Sequence, residues 1–176
     1  VLFHYYDFQN EVLPFYSKQS GKLSVTKKGE LLTLDFPADS IQKTEAPVEI
    51  LSAFQQQPTE VYKGKTDYLL VYEKQSDVEE SDPNHYILKN SNARGIIITA
   101  TGDEVDFVSR FFTPQASMFE DPVTGSAHCS LIPYWSQKLD KQSMTALQLS
   151  PRVGRLQCKN LGNRVLISGK AVTYLD

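Results

Sequence analysis

Few folds can house a helix that is apolar on several sides, and residues 125–139 read as such a helix. Leu131, Ile132, Tyr134 and Trp135 follow one another almost without a polar break. A surface helix would keep a broad polar face for water, whereas this run is apolar on several sides. Pro133 lies inside the same run and should loosen one backbone bond there. Such a segment needs cover around most of its circumference. The rest of the chain offers strands to provide it. Leu13–Tyr16 leads to a turn at Gln19-Ser20-Gly21, and residues 23–26 and 32–36 alternate apolar and polar side chains on either side of a second turn at Lys27-Lys28-Gly29-Glu30. That is a β-meander with one buried face. Further strands are expected at 60–63, 66–72, 94–101, 105–112, 146–150, 155–159 and 164–168, with a last one at 170–175. Short helical pieces are expected at 47–54 and 86–89, and residues 75–82 read as an exposed loop or short helix. The polar stretch 37–47 reads as a linker. The class is therefore α/β, in the form of an α+β roll: a curled sheet wrapped around a central helix at about 125–139.

The start of that helix carries the chemistry. Asp121-Pro122 belongs outside a helix interior, because proline lacks an amide hydrogen and drives the preceding residue to extended geometry. Thr124 suits the N-cap. Gly125 and Ser126 carry little bulk, so their amides can meet a ligand. Free amides and the positive end of the helix dipole together attract anions. Asp121 would then sit beside an anion cradle as a proton carrier. A plainer reading stays open, in which Glu120 and Asp121 complement the dipole and Thr-Gly-Ser is an ordinary cap.

The run Glu120–His128, preceded by Arg110-Phe111-Phe112-Thr113-Pro114 and followed by Pro133-Tyr134-Trp135, resembles the phenazine biosynthesis PhzF-like family of isomerases. Ser168-Gly169-Lys170-Ala171-Val172 is similar too. That family is related in fold to diaminopimelate epimerase. The resemblance implies two similar halves, each a curled, mostly antiparallel sheet around a helix, with the active site between them. It implies cofactor-independent proton transfer on a small carboxylate-bearing metabolite, and a homodimer. Asp121 matches the family's second-half carboxylate. Gly125 and Ser126 match substrate contacts at the helix start, with Thr124 and Ala127 beside them. His128 fits a structural hydrogen bond. Arg110 fits either an internal ion pair or a ligand carboxylate. Cys129 lies after the helix start, which argues against the two-thiol chemistry of related amino-acid epimerases. The family's first-half glutamate and Gly-His motif do not appear, and Val1–Tyr5 resembles the end of the helix that follows them. On this reading residues 1–44 are the remnant of a first half plus a linker, residues 45–169 are the second half, and residues 170–176 return to the first. The chain begins with Val1, so it lacks its natural start or was processed, and little turnover is expected from it alone.

Composition narrows the alternatives. The 176 residues are 40% hydrophobic and 22% charged, enough for a packed core. A net charge of −3 argues against nucleic acid as a partner. No apolar run approaches the ~18 residues of a membrane span, and no secretory leader is visible. Cys129 and Cys158 make neither a disulfide framework nor a metal pattern, so a cytoplasmic protein without metal or organic cofactor is expected. Two other functions compete with the isomerase. One is a catalytically silent small-acid binding or interaction protein of the same fold. The other is a hydrolase using Ser126, which is weak because the Gly-x-Ser-x-Gly turn is missing.

Overall fold

A computed structural model describes residue 3 and residues 10–172. The helix tail expected at residues 1–8 falls almost wholly outside them. Eleven strands form one open sheet in the order β1-β2-β3-β11-β10-β9-β8-β7-β6-β5-β4. They are β1 (Val12–Ser17), β2 (Gly21–Lys28), β3 (Leu31–Pro37), β4 (Gln42–Lys43), β5 (Glu60–Lys63), β6 (Asp67–Val71), β7 (Gly95–Thr101), β8 (Phe107–Phe112), β9 (Ser143–Gln148), β10 (Gly154–Asn160) and β11 (Arg164–Lys170). Between residues 10 and 172, four helices interrupt them: α1 (Val48–Leu51), α2 (Gln75–Glu79), α3 (His85–Asn90) and α4 (Gly125–Leu139). Among the described residues only β6–β7 and β8–β9 pair in parallel, so the sheet is mostly antiparallel as expected.

Those two parallel pairs explain the layers. A parallel pair needs a crossover, and here each carries helices. The β6–β7 crossover holds α2 and α3, and the β8–β9 crossover holds α4. Both crossovers step the same way across the sheet, from strands of opposite direction. One hand of crossover therefore puts their helices on opposite faces. Alternate residues of the central strands record this. Leu69, Val71, Ile97, Phe107 and Phe111 pack with Leu131, Ile132 and Trp135 of α4. Leu70, Ile96, Ile98, Val108 and Phe112 pack with Ile50, Val78 and Leu88 of the short helices. The period-2 alternation thus serves two cores from one set of strands.

Helix α4 is buried at Ala127, His128, Ser130, Leu131, Ile132, Tyr134 and Trp135, around most of its girth. Its span matches the expected one. Asp140 ends it in the left-handed region at φ 52°, and Lys141 N closes the last turn on Ser136 O at 3.1 Å. Trp135 Nε1 donates to Thr99 Oγ1 at 2.9 Å, and Thr99 Oγ1 donates in turn to Val108 O at 2.6 Å, so the helix is tied to two strands. Pro133 leaves the Cys129 carbonyl without its helical donor. Asp39 N takes that carbonyl at 3.0 Å, and Ser130 Oγ donates to Asp39 Oδ2 at 2.8 Å. The proline thereby creates the docking point for the segment that leaves β3.

Several expectations need correction. The linker at 37–47 is not free of structure. Ala38 and Ile41 pack on the α4 core, and residues 42–43 form the far edge strand β4. The segment therefore runs over the α4 core from β3 to the edge strand β4. The meander β1–β3 pairs as expected, but Leu13 is its only fully buried residue among those described. Lys27 and Lys28 close β2 instead of lying in the turn, which falls at Gly29, φ 59°. Helix α1 covers only Val48–Leu51 of the expected 47–54. The strand expected from 105 starts at Phe107, because Asp106 accepts from Lys141 Nζ at 2.6 Å and Thr145 N at 2.8 Å and caps the turn. The final strand expected at 170–175 does not begin at Lys170, which instead closes β11; residues 171–172 are irregular and the remainder lies outside the described residues.

Candidate functional site

The loop 120–124 delivers the chain from β8 to α4, and hydrogen bonds hold it at nearly every residue. Glu120 bridges back to Phe112, and Asp121 N donates to Phe111 O at 3.0 Å. From the other side, β9 reaches across. Buried Gln148 accepts from Thr124 N at 2.8 Å and donates to Asp121 O at 2.7 Å, and Ser150 Oγ donates to Pro122 O at 2.8 Å. Thr124 stands at the N-cap of α4 with extended backbone. Its hydroxyl does not cap the helix, contrary to expectation. It donates to Asp121 Oδ2. The amides of the first turn are therefore left without a side-chain cap, in the state that favours an anion.

Exposure grades along the turn. Ser126 is open to solvent, Gly125 is half-buried, and Ala127 and Thr124 are buried. Ala127 offers at most its amide, since its methyl group lies in the core. A Cβ at Gly125 would stand 3.5 Å from Leu34 Cδ1 and 3.9 Å from Phe36 Cε2, so β3 forms an apolar wall beside the cradle. Asp121 is half-buried, and no donor among the described residues reaches its Oδ1.

His128 is wholly buried, one turn into the helix, with Nδ1 donating to Thr124 O at 2.8 Å. Burial pushes the imidazole pKa down, against the pull of the Thr124 carbonyl, which favours the neutral ring. Arg110 lies on the other face of the sheet. It forms a two-pronged ion pair with Glu120, at 2.7 and 2.9 Å, and its remaining Nη1 donates to Ser81 O and Val78 O at 2.5 and 3.1 Å. The guanidinium is spent there and does not join the α4 start. Cys129 sits in the helix, its thiol pushed up to about 11 by burial.

The structure thus brings Asp121, Thr124, Gly125 and Ser126 together and leaves Arg110 and His128 in supporting positions. Gln148 and Ser150 were missed in the sequence. Their only signal is a polar residue at each of two alternate positions where Met144 and Ala146 are core, which by itself also fits a strand end. A groove of about 600 Å³ opens elsewhere, on the sheet face away from α4, lined by Ser24, Thr33, Asp35, Gln157 and Thr145. Two of its groups already pair: Thr33 meets Ser168 at 2.8 Å and Asp35 meets Arg164 at 2.7 Å.

Residues 18–176 match the family model for phenazine biosynthesis-like proteins, PhzC-PhzF. The chain belongs to this family. It is 49% identical over 173 residues to an uncharacterized isomerase of Pseudomonas aeruginosa, covering 98% of this chain and 66% of that protein. It is 36% identical to phenazine biosynthesis-like domain-containing protein 1 of Mus musculus, over all of this chain and 68% of the relative. A PhzF-family crystal structure from Enterococcus faecalis superposes with TM-score 0.91 at 41% identity, covering 99% of this chain and 67% of that one. A predicted epimerase from Pseudomonas aeruginosa shares the fold alone, with TM-score 0.65 at 14% identity over 99% of this chain and 71% of its own. The fold is thus the PhzF, diaminopimelate epimerase-like one. The chain spans about two thirds of the length of these relatives.

Proposed function

We propose that this chain is the larger part of a PhzF-like isomerase that moves a proton on a small carboxylate-bearing metabolite without a cofactor. One observation carries the proposal: the uncapped first turn of α4 opens at Ser126 within the same short loop as a carboxylate with one free oxygen. The amides of Gly125, Ser126 and Ala127 bind the substrate carboxylate, and the helix dipole adds to their attraction. Thr124 shapes the loop. Asp121 accepts a proton from the neighbouring carbon and returns one, while the substrate's own conjugated groups take up the electron pair. Residues 1–44 would belong to a first half and residues 45–169 to the second, with the opposing acid–base residue on the part of the relatives that this chain does not span. The chain alone is then expected to bind acids but turn over little, and the whole protein to work as a cytoplasmic homodimer.

The second reading, a non-catalytic small-acid binder, is favoured by the same uncapped turn, which needs no proton carrier to hold an anion. Titration with sodium acetate, followed by amide NMR, tests the shared step. Ser126→Pro removes one donor at a position where proline costs no helical bond. Weaker acetate binding in that variant supports the cradle, and unaltered binding places the acid elsewhere. Deuterium uptake into β,γ-unsaturated acids by the protein of full family length then separates enzyme from binder.

A further inference from the structure

We infer that Gln148 orders the protons around the loop carboxylate and so makes Oδ1 of Asp121 the atom that exchanges a proton with substrate; the last step rests on the isomerase reading, and the order itself rests on hydrogen-bond chemistry. Gln148 closes β9 and is wholly buried. Three polar groups of the loop surround its carboxamide. Thr124 N lies 2.8 Å from Oε1, while Asp121 O and Thr124 Oγ1 lie 2.7 and 3.2 Å from Nε2.

The two backbone groups fix which way the carboxamide faces. A main-chain amide can only donate and a carbonyl can only accept. Turning the Gln148 amide over would set donor against donor and acceptor against acceptor at both contacts. With Nε2 facing Asp121 O and Thr124 Oγ1, its two protons are both committed. Thr124 Oγ1 therefore receives one. A hydroxyl has a single proton of its own, and the acceptor left beside it is Asp121 Oδ2. The chain of bonds runs one way, from Gln148 through Thr124 to Asp121.

This makes the two carboxylate oxygens unequal. Oδ2 is held by a donor whose direction is set from the core. Oδ1 has no donor among the described residues. A proton leaving a substrate carbon lands on Oδ1, and the electron pair it leaves behind passes into the substrate's own acceptor system. Gln148 is a positioning residue in this scheme. It touches no substrate and acts through Thr124. Ser150 secures the loop between them by its bond to Pro122 O at 2.8 Å.

Thr124→Val and Thr124→Ser test the order, since Val keeps the volume without a hydroxyl and Ser restores the hydroxyl. NMR of the protein labelled with 15N should show both Gln148 side-chain amide protons protected from solvent. In Thr124→Val one of the two exchanges at least about tenfold faster, the worth of one hydrogen bond, and Ser restores it. Solvent-rate exchange of both protons in the folded wild type overturns the inference. So does identical behaviour of the Val and Ser variants. The functional arm uses the protein of full family length and follows deuterium uptake from D2O into 3-pentenoate and related β,γ-unsaturated acids. Val should lower kcat about tenfold at constant KM, and Ser should recover most of that loss. Equal losses in both variants refute the role of Oδ1. If the wild type labels none of these acids, the isomerase reading loses its support, while amide protection still decides the order.

Discussion

Glu120 and Asp121 are adjacent carboxylates with different partners, Arg110 and Thr124, and Glu120→Gln separates them. The Glu120 and Arg110 side chains keep only 14% and 12% of their surface exposed. Two parallel bonds join them, and the guanidinium also lies 5.0 Å from the Phe112 ring. Replacing the carboxylate by an amide keeps the shape but turns one acceptor into a donor facing the guanidinium. Breaking a buried pair from one side costs about 3–5 kcal/mol, because the surviving charge is left uncompensated. The carbonyls of Val78 and Ser81 stay on Nη1, which places the cost at the lower end, about 3 kcal/mol. With a urea slope of about 2 kcal/mol per molar, the unfolding midpoint falls by about 1.5 M. Asp121→Asn should shift it by less than about 0.5 M, since that side chain is half-exposed and can still accept from Thr124. Arg110→Met combined with Glu120→Gln should cost less than the sum of the two single changes by at least about 1 kcal/mol. A midpoint shift below about 0.3 M for Glu120→Gln, or strict additivity in the double variant, would refute the reasoning.

Other outcomes follow from burial. Cys129 and Cys158, pushed up to about 11 and about 12, should label with iodoacetamide at pH 8 at least about a hundredfold more slowly than a free thiol, and at ordinary rates in urea. Fast native labelling of Cys129 would reopen thiol chemistry. His128 has its folded pKa pushed below the unfolded value near 6.5, so the unfolded chain binds more protons under that pH. Its contribution is therefore complete above about 6.5 and declines as pH falls towards the folded value, by at most about 1.4 kcal/mol per unit. Urea titrations at pH 7 and pH 5 should show a smaller pH loss in His128→Asn than in wild type, and an equal loss contradicts the buried neutral ring. Ser130→Ala removes one donor from Asp39 and should cost about 1–2 kcal/mol by the same urea method. No loss would mean that the proline-freed carbonyl of Cys129 and the Lys65 amide on Asp39 hold the linker without it.

Local patterns reached much of this fold. The apolar density of Leu131–Trp135 required a wrapped helix, and Thr124 and Asp140 lie at its observed ends. Strand alternation placed the central strands, since Ile96 and Ile97 divide between two cores as a period of two demands. What stayed hidden was long-range pairing. Nothing in Gln42-Lys43 marks an edge strand, because its partner β5 supplies the reason. Thr124 carries the pattern of a capping residue, yet Asp121 competes for its hydroxyl three positions earlier and wins. Gln148 looks like a strand-end polar residue until the loop 121–124 folds over it. Arg110 could be read two ways in sequence, and only the position of Glu120 across the β-bridge to Phe112 favours the internal pair.

The central claim is that Asp121 carries the proton while the α4 amides hold the acid. Deuterium uptake from D2O into substrate, compared between wild type and Asp121→Asn in the protein of full family length, tests it most directly. The account predicts uptake in the wild type and a loss of at least about a hundredfold in the variant, with acetate affinity and unfolding midpoint nearly unchanged. Undiminished uptake in a folded Asp121→Asn protein would contradict it.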